Sequence, residues 1–153
     1  MIRRLALLPL VVLVLVTAGT PLAAQDTPDL WPAVRGDTVL VHLFDPPVVN
    51  HGFVVDRVGP DGEPARLTPT PVLPVRQPAY AAALLGSDLP EVMEVLETRD
   101  RNAVLRRMQR DRFTAAAVTM MFRSAARVLG RFYADTTAVP GETYEYRVTF
   151  LDA

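Results

Sequence analysis

The chain has 153 residues, half of them hydrophobic, with 16 basic residues (all arginine), 17 acidic residues, no cysteine and a formal net charge of −1. That balance gives no global electrostatic case for nucleic acid or an anionic membrane surface as partner. The lack of cysteine excludes disulfides, a lipid-modified N-terminal cysteine and thiol catalysis, and no N-x-S/T acceptor is present for an N-glycan.

The chain opens MIRRLALLPLVVLVLVTAGTPLAAQ. Arg3 and Arg4 form a basic start, Leu5 to Val16 is apolar apart from Pro9, and small residues end at Ala23-Ala24-Gln25. That order is the order of a secretory signal peptide. The apolar run falls short of the roughly 20 residues of a membrane span. Residues 1–24 are therefore expected to leave as a leader, with cleavage after Ala24 or one residue earlier and no membrane span in the remainder; the alternative is an uncleaved N-terminal anchor. The expected location is periplasmic or secreted. The mature part has 129 residues, with 14 basic and 17 acidic side chains and a net charge of −3. It is the size of one domain.

Residues 25–35 are polar and proline-containing, and Trp31, the single tryptophan, is expected to anchor packing at the domain edge. Gly36-Asp37 is a turn. Thr38 to Phe44 (TVLVHLF) is β-prone and apolar on both faces, which predicts a strand covered on both sides. Asp45-Pro46-Pro47 ends it. Gly52 to Val58 predicts a second strand. Gly59-Pro60-Asp61-Gly62-Glu63-Pro64 predicts a tight turn, in which Pro60 presets φ, Asp61 closes an Asx-type bond and Gly62 takes positive φ. Ala65 to Thr68 returns as the other half of a hairpin. Residues 68–78 hold four prolines and should run extended, with little ladder pairing.

The period then changes. Ala79 to Leu85, stopped by Gly86, predicts a short helix. Asp88 followed by Glu91 looks like a capping box opening a second one. Val104, Met108, Ala115, Val118, Phe122, Ala125 and Leu129 recur at helical spacing, predicting one long tract from Asp100 to Gly130 with a break near Asp111-Arg112. Residues 131–138 read as a lead-in to the last strand. There, Tyr144, Tyr146, Val148 and Phe150 alternate with Glu145, Arg147 and Thr149, the pattern of a half-buried strand.

Candidate chemistry is sparse. His42 shares a face with Leu40 and Phe44 and is expected to be a hydrogen-bonded core histidine; His51 sits in a turn. Together with Asp45 and Asp56 they do not make a metal-ligand spacing. No G-x-S-x-G and no glycine-rich phosphate loop occurs, and Ser87 and Ser124 are the only serines. Glu91, Glu94, Glu97 and Asp100 form a solvated stripe, with Glu97 and Arg101 spaced for an i, i+4 pair. The chain is expected to be non-catalytic and to carry no cofactor or metal. Six arginines lie within fourteen residues, and Arg99, Arg106 and Arg110 can share one helical stripe. They are the candidate contact for an acidic partner; no aromatic residue interleaves them for base stacking. Of Met120, Met121 and Phe122, one is expected to be exposed or to cover the sheet.

Several of these segments resemble the fibronectin type III family. Gly36 to Leu40 is similar to the approach to that family's strand B, and Phe44-Asp45-Pro46-Pro47 to the end of that strand. Gly52 to Arg57 resembles strand C, and Pro140 to Val148 resembles strand F. The resemblance implies a mainly β sandwich with structural roles for Phe44, Tyr144 and Tyr146. Tyr144 is placed as a tyrosine-corner residue whose hydroxyl bonds backbone a few residues upstream. It covers about residues 28–76 and 132–152. Two departures stand out: a helical insertion around residues 79–130 replaces the short strand between C and F, and the last strand, G, is missing. The first expectation is a piece of a longer multidomain protein; the second is a strand donated by a partner. The function expected is a binding or structural module, part of or partner to a larger cell-envelope or secreted protein. The alternative is a carrier of a small ligand or peptide using a cleft between the helical insertion and the sheet, which an apolar pocket lined by Phe113, Met121 and Phe132 would favour; the weakest is a hydrolase.

Overall fold

The computed structural model describes residues 12–16, 30–35, 37–44 and 52–151. Among the described residues, seven strands and five α-helices are arranged as a mixed α/β fold. They are β1 (Val12–Val16), β2 (Leu30–Arg35), β3 (Thr38–Leu43), β4 (Phe53–Val58), β5 (Pro64–Arg66), α1 (Pro78–Leu85), α2 (Leu89–Val95), α3 (Val104–Met108), α4 (Arg112–Met121), α5 (Arg123–Val128), β6 (Phe132–Asp135) and β7 (Tyr144–Phe150). One sheet runs β2-β3-β6, all antiparallel; the other runs β1-β7-β4-β5. In the second sheet β7-β4-β5 is antiparallel, while β1 lies parallel to β7.

The two sheets share one core. Val39, Val41 and Leu43 of β3 pack with Phe53 and Val55 of β4 and Tyr144, Tyr146 and Val148 of β7. The other face of β3 is covered too. Leu40 packs with Ala126 of α5 and Phe132 of β6. The apolar residues on both faces of β3 thus have separate uses, one toward the facing sheet and one toward the helices. Behind α5 the helices keep a core of their own, with Val92, Val104, Met108, Val118, Ala125 and Val128 at its centre.

The β4–β5 hairpin follows its turn chemistry. Gly62 N–H donates to Gly59 O at 3.0 Å, Asp61 Oδ1 accepts from Glu63 N–H, and Gly62 has φ of +79°. After β5 the proline-rich stretch stays extended along β4. Val55 N–H donates to the Thr68 hydroxyl at 2.7 Å, and Phe53 and Val72 exchange both backbone bonds.

Five expectations are corrected. Residues 30–35, within the stretch read only as polar and proline-containing, form strand β2, an edge position in which Pro32 costs no ladder bond. Residues 132–135 form strand β6, so the helical segment is followed by a short strand rather than replacing it. The tract from Asp100 to Gly130 is broken twice, near Asp111 as expected and again at Phe122, which is extended (φ −128°, ψ 114°) and lets α5 turn onto the sheet while its ring stays in the helical core. Asp88 does not cap α2 with its side chain; its carboxylate accepts from Ser124 Oγ at 2.5 Å, tying α2 to α5. The edge of β7 away from β4 is occupied by Val12–Val16, from the segment read as a leader. The side chain of Trp31, and His51 and Asp45 with it, lie outside the described residues. Among the described residues no helix is long and apolar enough to cross a membrane.

Candidate functional site

The last strand described, β7, organises the polar chemistry between the two sheets. Alternation puts Tyr144, Tyr146 and Val148 of β7 into the core. A buried tyrosine needs a partner for its hydroxyl, and both tyrosines have one. Tyr144 Oη accepts from Val139 N–H at 3.1 Å, closing the loop that precedes the strand. Tyr146 Oη donates to Asp135 Oδ2 at 2.7 Å, joining β7 to β6 across the two sheets.

Asp135 is the hub. Its side chain is 1% exposed. Oδ2 also accepts from Arg57 Nη1 of β4 at 2.8 Å. Oδ1 accepts from Thr137 N–H at 2.8 Å and from the Thr137 hydroxyl at 2.7 Å. The guanidinium of Arg57 also lies over the Tyr144 ring, 4.7 Å from its centroid. Burial alone would raise the Asp135 pKa; the hydrogen bonds from Thr137, Tyr146 and Arg57 overcome that and hold it below the usual carboxylate value. Tyr146 is pushed well above the usual phenol value, first by burial and then by its bond to Asp135. A carboxylate offers about four lone-pair positions, and here four donors fill them. The cluster thus binds the two sheets together, and its carboxylate presents no lone pair to an incoming group. A second tie between sheets is the Tyr133 hydroxyl, which donates to Leu67 O at 3.3 Å.

The backbone of β7 has two sides. Leu151 N–H donates to Gly52 O at 2.9 Å, and the β4–β7 register keeps that phase through Thr149 and Arg147. By antiparallel alternation, the N–H and C=O groups of Glu145, Arg147 and Thr149 face β4. Those of Tyr144, Tyr146, Val148 and Phe150 face the opposite edge. That is the edge along which Val12–Val16 runs, from Val12 beside Tyr144 to Val16 beside Val148.

The arginine stripe is redistributed. Arg99 lies in the bend between α2 and α3, because α2 ends at Val95 and Glu97 has φ of +49°. The same interruption removes the helical geometry that a Glu97–Arg101 pair needs. Arg106 and Arg110 instead meet Arg76 around an open groove of about 420 Å³, with Asn102, Leu105 and Gln109. Arg110 Nε is 3.6 Å from Asp111 Oδ2. Arg107 turns away and donates to Leu96 O at 2.9 Å. His42 is half-buried on the helix-facing side of β3, edge-on to Phe132 with ring centroids 6.5 Å apart. It is not the hydrogen-bonded core histidine expected, since its Nε2 is buried without a partner. Burial, then Arg131 and Arg123, lower its pKa, so it is neutral at pH 7. Phe113 and Met121 are 83% and 60% exposed, whereas Phe132 is buried against Ala126, so these three residues do not line one cleft. Among the described residues no group of three or more histidine or acidic side chains is placed to hold a metal ion.

Asp135, Arg57 and Thr137 were missed by sequence reasoning. The usable signal was Tyr146 itself: a tyrosine on the inward face of a strand demands a hydroxyl partner, and Asp135-Thr136-Thr137 is one of the polar stretches upstream of it. Comparison with known proteins finds no matching family model, no matching curated protein and no matching solved structure.

Proposed function

We propose that this chain is an exported, non-catalytic binding or structural module, a fibronectin type III-like sandwich with a helical layer inserted at residues 79–130. It serves as part of, or partner to, a larger cell-envelope or secreted protein. The observation that carries this reading is the strand order. In immunoglobulin-like sandwiches strands A, B and E neighbour one another in one sheet, and C, F and G in the other. The order β2-β3-β6 facing β4-β7 fits A-B-E facing C-F, and β1 lies on the edge that G would hold, but parallel to β7 where G would be antiparallel. The Tyr144–Val139 bond supports it further, since a tyrosine-corner hydroxyl returns to backbone a few residues upstream.

The non-catalytic reading is supported by the chemistry of Asp135, the most buried carboxylate described, whose lone pairs are all taken by structural donors. The carrier alternative is weakened by the exposure of Phe113 and Met121. The test is expression of the full chain with a C-terminal tag in a Gram-negative host, followed by fractionation and intact-mass measurement. Export with loss of residues 1–24 is the expected result. A full-length chain held in the cytosol contradicts the export reading.

A further inference from the structure

The outer edge of β7 is where the fold and the export reading meet. Four β7 residues direct backbone N–H and C=O groups to this edge, while their side chains at 144, 146 and 148 form the centre of the inter-sheet core. In the structure the edge is paired over five residues by Val-Leu-Val-Leu-Val, residues 12–16. Those residues lie inside the segment whose basic start, apolar run and small-residue end mark it for removal. An unpaired edge of this kind is a template for another strand. Burying it without a partner would leave backbone groups unsatisfied beside an apolar core.

The geometry points to the β7 edge as a strand-acceptor site, taking an extended aliphatic segment of another polypeptide in the position that Val12–Val16 holds while the leader is attached. This inference rests on the export reading above. The chemistry of the occupant follows from the seat. It is at least five residues long, free of proline, so that its N–H groups can join the ladder. It is also aliphatic at alternate positions, because one face of any strand added there continues the apolar face formed by Tyr144, Tyr146 and Val148. Main-chain bonds supply the affinity in this mode of recognition, and the alternate side chains supply selectivity.

The experiment uses the full chain carrying a specific protease site directly after Ala24. The folded protein is cut and passed through gel filtration, and amide hydrogen exchange is read at Tyr146 and Val148, with Arg147 and Thr149 as internal controls paired to β4. Because the cut is made in vitro, the assay gives its answer whether or not a host removes the leader. Failure of export and failure of strand acceptance are thereby separated. The probe is a synthetic peptide of residues 11–17 with a polar solubilising tail; its control has Pro in place of Leu13 and Leu15, whose N–H groups face β7 when Val12, Val14 and Val16 lie beside Tyr144, Tyr146 and Val148. In the uncut chain, Tyr146 and Val148 should be protected. After cutting, either the released segment stays bound through gel filtration, or exchange at these two amides accelerates about tenfold or more while Arg147 and Thr149 stay protected. In the second case the peptide restores protection and the proline control does not. The proposal is overturned if Tyr146 and Val148 stay protected once the segment has gone. It is equally overturned if the peptide leaves their exchange unchanged, or if a second copy of the chain takes the edge and a dimer forms in place of the peptide complex.

Discussion

The Tyr144 hydroxyl accepts a hydrogen bond from the backbone N–H of Val139, 3.1 Å away, across the turn at Pro140-Gly141. The ring is 5% exposed and belongs to the inter-sheet core, so the bond fixes the entry of β7 from inside the protein. Tyr144→Phe keeps the ring and removes the acceptor for one amide. The expected loss is about 1 kcal/mol in urea unfolding, with the denaturant slope unchanged. An unaltered midpoint would show that the hydroxyl does not hold the loop.

Asp135 predicts both a magnitude and a pH dependence. Its carboxylate is buried and takes four hydrogen bonds from Arg57, Tyr146 and Thr137. Asp135→Asn leaves Arg57 without its counter-charge and should cost about 3 kcal/mol. In the wild type the folded pKa is depressed below the unfolded value of about 3.9. The unfolded chain therefore binds the proton more tightly, and stability falls as pH falls. The contribution is fully present above about pH 5 and fades as pH drops through 3.9 toward the lower folded value. Thermal melts from pH 7 to pH 2 should show a shallower acid limb in Asp135→Asn than in wild type.

Two glycines with positive φ separate backbone strain from steric conflict. Gly62 (φ +79°) has open space where a Cβ would stand. At Gly130 (φ +61°) a Cβ would lie 2.6 Å from Pro74 N, where the helical layer meets the proline-rich segment. Gly62→Ala should cost about 1 kcal/mol, the price of the left-handed backbone alone. Gly130→Ala should cost about 3 kcal/mol or more, because backbone must move as well. Equal losses at the two sites would contradict the close approach at Pro74.

The helical layer is expected to be an integral part of the fold. Met108 is fully buried among Val92, Val104 and Val118, so Met108→Ala should cost about 2–5 kcal/mol. Phe113 is 83% exposed, and Phe113→Ser should change stability by no more than about 0.5 kcal/mol. A single cooperative transition shifted by Met108→Ala in probes of both sheets and helices is the expected behaviour. Separate transitions would mean that the helices unfold on their own.

These features differ in how far the sequence carried them. β7 was legible because its alternation is strict over seven residues. The β4–β5 hairpin was legible because Pro60, Asp61 and Gly62 each have one mechanical role in the turn. Gly86 and Gly130 marked the ends of α1 and α5 for the same reason. β2 was hidden by Pro32, which reads as a breaker until the strand is known to sit at an edge. β6 is four residues long and follows directly on a helix, and it exists through pairing with β3, a long-range contact with no local signature. The helical period of Val118, Phe122 and Ala125 runs unbroken through the extended residue Phe122, so periodicity alone could not find that break. The arginine stripe failed because Arg99 falls beyond the end of α2. Asp88 was read as a cap from local spacing, but a tertiary partner, Ser124, claims its carboxylate.

The account rests on the two sheets closing on each other through β6 and β7, and the pair that reports this most directly is Tyr146 and Asp135. A double-mutant cycle with Tyr146→Phe and Asp135→Asn, read by urea unfolding at pH 7, measures their coupling free of the other three hydrogen bonds on the carboxylate. The account predicts a coupling of about 1–3 kcal/mol, as for groups in one buried network. Additivity within about 0.5 kcal/mol would contradict it, because residues of two sheets that do not meet have no means to interact.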